Sequence, residues 1–357
     1  MTTIAHVGVV RVVVGVDTHR DVNVAVVIDH LGRRLGSVEI PTTAAGYRDL
    51  LRWARSFGEV EAWGVEGTGC YGAGLARFLG AKGERVLEVI RPNRQVRRRK
   101  GKSDPTDAEA AARAVLSGEA SAVPKGGDDL VEMIRVLRLT RSTAVKARTQ
   151  GINVLRALVV TAPPELRQQL RGLPIKALIR TAARLRPGND RSVLAHTKLA
   201  LRSAAQRCEA LDAEIGTLDA RLDELTAEAA PDLLEHPGVG PETAATLLVA
   251  TGDDRHRIRS EAAFAKLCGV SPIPASSGQI QRHRLDRGGN RQANAALYRI
   301  VLVRMRWDPR TKDYVARRTQ EGKTKKEIIR CLKRYVAREI FTALKATARP
   351  HPVVLAA

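Results

Sequence analysis

Aromatic side chains are scarce in this sequence. Four Phe, three Trp and five Tyr make up 3% of 357 residues. Ring stacking therefore cannot be the main way of holding a single-stranded nucleic acid, and aliphatic residues and alanine must fill much of the core. Tyr298, Trp307, Tyr314 and Tyr335 are accordingly expected in the core rather than as platforms for bases. Cysteine is equally sparse: Cys70, Cys208, Cys268 and Cys331 lie far apart, with no CxxC pair, and the eight histidines cluster with none of them. That argues against a disulfide framework and a Cys/His zinc site. Long apolar runs are missing too. The longest near the N-terminus, Val7–Val16, is broken by Arg11 and too short to span a bilayer. It lacks the pattern of a cleavable leader. A cytoplasmic, nucleoid-associated protein without a membrane partner is the expectation. Acidic residues are in deficit, 38 against 60 basic ones, for a net charge of +22. Such a balance selects a polyanion as partner. The remainder, 44% hydrophobic and 27% charged, is the composition of a globular chain.

Three segments follow one another: 7–125, 126–230 and 231–347. In the first, β-branched runs predict strands at Val12–Asp17, Val22–Asp29 and Ser37–Ile40, an antiparallel meander. A helix fits Ala44–Ser56, then a strand at Val60–Glu66, a helix at Gly72–Gly80, a strand at Arg85–Ile90 and a helix from about Pro105 to Leu116. This order predicts an α/β domain, a mixed sheet with helices on its faces. In the middle segment, Leu201, Ala204, Cys208, Leu211, Ile215, Leu218, Leu222, Leu225 and Ala229 follow in alternating steps of three and four, a heptad seam. It predicts a coiled-coil helix of ~36 residues, roughly 54 Å long. Its partner is either a helix within residues 131–160 of the same chain or a second copy, and the reading leans to the second copy. The third segment is mainly helical. It opens on a glycine turn, His236-Pro-Gly-Val-Gly-Pro-Glu242, whose backbone N–H groups and helix start suit a phosphate; a plain helix connection reads equally well.

Four carboxylates stand out. Asp17 and Glu66 end strands, and Asp104 and Asp107 open the helix after the fifth strand. Strand ends and a helix start can meet at one edge of a sheet. There, four acids would repel unless divalent cations neutralise them, and Mg²⁺, with Mn²⁺ as substitute, prefers such oxygen ligands. Two ions can serve phosphodiester chemistry. Taken alone, Asp104-Pro-Thr-Asp107 reads better as a helix start, with Asp104 as N-cap and Asp107 facing the dipole.

Basic residues crowd just ahead of that pair: Arg94, Arg97, Arg98, Arg99 and Lys100. A second group, Arg282, Arg284, Arg287 and Arg291, surrounds a Gly/Ser-rich loop holding Ser276 and Ser277. Charge runs are usually solvated faces, but a basic loop beside an anionic metal site suits a nucleic-acid backbone. Lys323, Lys325, Lys326, Arg330, Lys333, Arg334 and Arg338 spread a third run over the last helix and are expected to track phosphates.

Gly15-Val-Asp17-Thr-His19, Val65-Glu66-Gly-Thr-Gly-Cys-Tyr71 and Lys102-Ser-Asp-Pro-Thr-Asp-Ala108 resemble the three blocks of the DEDD transposase domain of insertion-sequence recombinases. Pro237–Ala245, Phe264–Pro272, Ser277-Gly278 and Gly289–Tyr298 resemble the C-terminal transposase domain of the same family. The resemblance implies a RuvC-like, ribonuclease-H-type fold and metal binding by Asp17, Glu66, Asp104 and Asp107. It further implies a catalytic serine, taken as Ser277, which precedes the glycine. Donor and target duplex DNA, a structured bridge RNA as guide, and a homo-oligomeric assembly (dimer or tetramer) are the partners it implies. Two other classes compete. A Holliday-junction-resolvase-like nuclease would need no serine. A non-catalytic nucleic-acid-binding protein would need none of the five residues.

Overall fold

The computed structural model describes residues 10–89, 103–125, 130–253, 255–276 and 283–346. They divide into two compact units, one holding the described residues up to 125 together with 251–257, the other 130–250 and 258–346. No described helix is long and apolar enough to cross a membrane.

The first unit is a five-stranded sheet in the order β3-β2-β1-β4-β5. β1 (Arg11–Asp17), β2 (Val22–Asp29) and β3 (Arg34–Pro41) form the expected antiparallel meander. β4 (Glu59–Glu66) joins β1 in parallel, and β5 (Val86–Val89) joins β4 in parallel. Side chains alternate across a strand, so β1 presents Val12, Val14 and Val16 to one face. There they pack with Leu50, Leu51, Leu75 and Leu79 of helices α1 (Ala44–Arg55) and α2 (Ala73–Ala81). Trp63 is fully buried on this face, and its Nε1 donates to Glu84 Oε2 at 2.7 Å, so the indole keeps a polar partner in the core.

The other face carries Val13, Gly15, Val24, Val26 and Ile28, covered by α3 (Asp104–Leu116) through Ala108 and Ala112. Alanine at these positions makes α3 a thin helix, and the sheet is correspondingly thin beneath it. A Cβ at Gly15 would overlap the Ala108 carbonyl and the Ala112 amide, and one at Gly64 would lie 2.8 Å from the Ala111 carbonyl. The two glycines are direct partners in the β1/β4 register. They form a notch into which α3 settles backbone to backbone.

Among its described residues the second unit is helical apart from one short hairpin. Its long helices α4 (Leu130–Thr161) and α7 (Val193–Ala229) pack as an antiparallel pair. Arg141 is ion-paired with Asp219, and Arg148 with Asp212. At its two ends the heptad seam thus faces a helix of the same chain, the first of the two partners that the sequence allowed. The seam is also not uniform. Leu201, Ala204 and Cys208 are buried at one end, against Leu155 and Val159 of α4 and against α5 (Pro164–Leu170) and α6 (Ile175–Ala183). Leu222, Leu225 and Ala229 are buried at the other, in a larger core with Leu130, Val131 and Ile134. Between them Leu211, Ile215 and Leu218 are only half-buried.

That larger core is completed by α8 (Pro231–Leu234), α9 (Pro241–Thr251), α10 (Glu261–Leu267), α11 (Arg291–Trp307) and α13 (Lys325–Ala346). Pro309 separates α11 from α12 (Pro309–Gln320), and Asp308 caps α12 by accepting from the Thr311 amide at 3.1 Å. Three of the four aromatics expected in the core are exposed instead: Tyr298, Trp307 and Tyr335. They lie on outward faces or helix ends, and the Arg306 guanidinium lies over the Trp307 ring, 5.0 Å from its centroid.

Candidate active site

Alternation puts Asp17 on the same face of β1 as Gly15, and Glu66 on the same face of β4 as Gly64. Each acid stands two residues beyond its glycine, at the end where α3 begins. Along α3 the residues turned to the sheet are Ala108, Ala111 and Ala112, and Asp104 and Asp107 extend that stripe by one helical turn. The glycine notch therefore sets the distance at which the two helix acids meet the two strand acids.

Ser103, not Asp104, is the N-cap of α3, and Asp104 and Asp107 lie in its first turn. Asp104 is accordingly free of the capping role, and Ser103 Oγ lies 2.7 Å from Thr106 Oγ1. Asp107 is buried, and Glu66 and Asp104 are partly exposed. Burial pushes the Asp17 carboxyl above the usual carboxylate range. His19 opposes that rise, while Glu66, Asp107 and Asp104 add to it. All three other acids thus act electrostatically on Asp17. The strand ends are tied together by Thr18, whose hydroxyl donates to the Glu66 carbonyl at 2.8 Å. Gly67, with φ +65°, turns the chain away immediately after Glu66.

One functional candidate was missed in the sequence. His19 Nε2 lies 3.3 Å from Asp17 Oδ2 and 3.6 Å from Asp104 Oδ2. Asp17, His19 and Asp104 form the one group of three possible metal ligands among the described residues. The Asp-x-His spacing was the available signal. This donor set of two carboxylates and an imidazole, at a sheet edge reached by solvent, fits a divalent cation; Glu66 and Asp107 act on Asp17 electrostatically but are not part of that group.

The other predicted residues divide differently. Arg94, Arg97, Arg98, Arg99, Lys100, Ser277 and Arg282 lie outside the described residues. Arg284 belongs to β7 (His283–Arg284), which pairs with β6 (Ile273–Pro274), so the serine-bearing segment connects the two strands of a hairpin. Arg284, Arg287 and Arg291 are exposed. The hairpin base is anchored through Asn294, whose Nδ2 donates to the Cys268 and Gly269 carbonyls at 2.8 and 3.0 Å. Lys333 donates to Asn294 Oδ1 at 2.9 Å, and Arg334 pairs with Glu261. These two cations of the last helix are inward ties, which corrects the expectation that the whole run tracks phosphates. At the start of α9, Glu242 accepts from Arg138 at 2.9 Å, so this helix end already has a carboxylate of its own.

Two family models match the chain. Residues 14–164 match an IS110-type DEDD transposase domain, and residues 230–316 match the transposase domain of the IS116/IS110/IS902 family. A 42 kDa protein of insertion element IS900 from Mycobacterium paratuberculosis is 27% identical, over 96% of this chain and 98% of its own. The putative transposase of the IS117 mini-circle of Streptomyces coelicolor is 27% identical over 79% of this chain and 82% of its own. The site and these matches together define a transposase. The chain belongs to the insertion-sequence transposases that carry the IS110-type DEDD domain followed by the IS116/IS110/IS902 domain.

Proposed function

We propose that this transposase cuts and rejoins DNA strands with Asp17, Glu66, Asp104 and Asp107 as holders of divalent ions and with Ser277 as nucleophile. The observation that carries this reading is the grouping of Asp17 and Asp104, with His19, within reach of one ion at a sheet edge, where Glu66 and Asp107 add to the rise of the Asp17 carboxyl. Strand order and directions support a RuvC-like, ribonuclease-H-type reading of the first unit. Mg²⁺ or Mn²⁺ bound there would supply Lewis-acid stabilisation of charge developing on the scissile phosphate.

The protein's own part is to position and to bond. Ser277 Oγ attacks phosphorus, the Ser–O–P bond forms, and the bond to the leaving strand oxygen breaks. The serine proton passes to solvent or a nearby base, and the leaving oxygen takes up a proton. A strand hydroxyl reverses these steps on a new partner. The phosphodiester linkage is kept throughout, so rejoining needs no external energy source. Arg284, Arg287 and Arg291, exposed beside the hairpin, together with Arg282, are assigned to phosphate contacts. Arg94, Arg97, Arg98, Arg99 and Lys100 are assigned the same role ahead of α3. A structured guide RNA and a homo-oligomer complete the proposed assembly. The half-buried stretch Leu211–Leu218 of the long hairpin supports the oligomer.

The test is denaturing electrophoresis of the full chain with labelled DNA carrying the element ends, with peptide mapping of any adduct. A phosphoserine adduct at Ser277, lost in Ser277→Ala and kept in Ser276→Ala, is expected. Cleavage by Ser277→Ala, with no adduct from the wild type, would replace this reading by the resolvase-like one, for which the carboxylates suffice.

A further inference from the structure

We infer that His19 is a nitrogen ligand of the cation held by Asp17 and Asp104, so that this site is a mixed nitrogen and oxygen site rather than a carboxylate site alone. The inference rests on the metal-binding reading of the carboxylates and adds to it a residue that neither the DEDD pattern nor the proposed strand transfer uses.

The local chain holds the imidazole in place. β1 ends at Asp17, and Thr18, largely buried, is fastened to β4 through the Glu66 carbonyl. The His19 amide donates to Asn23 Oδ1 at 3.2 Å, and Asn23 is fully buried at the start of β2. The link between the two strands is thus pinned just ahead of the His19 Cα, and beyond it the Thr42 hydroxyl donates to the Arg20 carbonyl at 2.9 Å. The side chain turns back over the end of β1, with Nε2 between Asp17 Oδ2 and Asp104 Oδ2 at 3.3 and 3.6 Å.

Those distances suit shared ligation. Ligand atoms about 2.0–2.2 Å from one ion stand roughly 3–3.5 Å from each other. One ligand atom from each of Asp17, His19 and Asp104 lies within 4.8 Å of the other two. Little movement would bring all three around one cation. The imidazole is also accessible, its side chain 45% exposed, so a hydrated ion reaches it without opening the fold.

Chemistry then gives a consequence. Mg²⁺ favours oxygen ligands and keeps much of its water, whereas imidazole nitrogen raises affinity for first-row transition ions in the order that begins with Mn²⁺. His19 therefore biases the site towards Mn²⁺ and its heavier neighbours over Mg²⁺.

The experiment uses the full chain loaded with Mn²⁺ and read by electron spin-echo envelope modulation. Wild type should show coupling to ¹⁴N, and growth with ¹⁵N-histidine should change it to the ¹⁵N pattern. His19→Gln should lose the coupling, bind Mn²⁺ about tenfold more weakly, and keep its Mg²⁺ affinity. Mn²⁺ bound without nitrogen coupling, or coupling that survives in His19→Gln, would overturn the assignment and leave the carboxylate site standing. Mn²⁺ binding indifferent to Asp17→Asn with Asp104→Asn would overturn the carboxylate reading itself, and the His19 assignment with it. The isotope comparison is made on unmutated protein, so it stands even if His19→Gln does not fold.

Discussion

Gly15 and Gly64 are partners across the parallel β1/β4 pair, and the backbone of α3 lies against both. The absence of two side chains brings Asp104 and Asp107 over Asp17 and Glu66. Gly15→Ala forces the added methyl into the Ala108 carbonyl and the Ala112 amide. Backbone must move, at a cost of about 1–3 kcal/mol. Urea unfolding should show that loss, and calorimetric titration should show weaker Mn²⁺ binding. An unchanged midpoint together with unchanged affinity would mean that the notch does not set the position of α3.

Asp17 gives a pH signature. Burial foremost, then the neighbouring acids, raise its folded pKa, with His19 opposing. A raised carboxyl favours the folded state when protonated. Its contribution is complete below the unfolded value of about 3.9 and is lost as pH rises through the raised one. Asp17→Asn cannot lose a proton. With chelator present, its stability relative to wild type should therefore increase from acidic to neutral buffer. A difference that stays constant across that range in thermal melts would rule out desolvation as the main influence on Asp17.

The long hairpin predicts a contrast along its length. At its ends, Leu201→Ala or Leu225→Ala removes a buried side chain and should cost about 2–5 kcal/mol. In its middle, the Arg141–Asp219 and Arg148–Asp212 pairs are partly exposed, and each should contribute no more than about 1 kcal/mol in a double-mutant cycle. Leu211→Asp with Leu218→Asp falls on the half-buried stretch. It should spare folding and lower the mass seen in sedimentation, whereas a wild type that is monomeric at every concentration would assign that stretch to no self-contact.

The sheet was legible because β-branched runs declare themselves. Val22–Asp29 was read with its observed ends, and Val12–Asp17 and Val60–Glu66 each fell one residue short. Asp17 and Glu66 could be placed because strand ends fix both position and face. What escaped depends on pairing between distant segments. Nothing local says that Gly15 faces Gly64, that the seam of α7 meets α4, or that Lys333 turns inward to Asn294. Trp307 and Tyr335 misled because aromatic bulk suggests burial, while the helices carrying them had smaller aliphatic residues enough to fill the core. His19 was visible as a residue but not as a ligand. Its meaning arises only once α3 has brought Asp104 to it.

That late arrival has a temporal side. Asp17 emerges from the ribosome well before Asp104, and at ~5–20 residues per second the interval is on the order of ten seconds. During it the β1–β2–β3 meander can pair, since its contacts are local. The edge, however, carries at most two of the four acids. The cluster is completed by the docking of one thin helix made after every strand of its sheet. A nascent chain stopped between β5 and α3 has the scaffold without the anionic centre, so assembly of the centre reports that the whole first sheet has been synthesised.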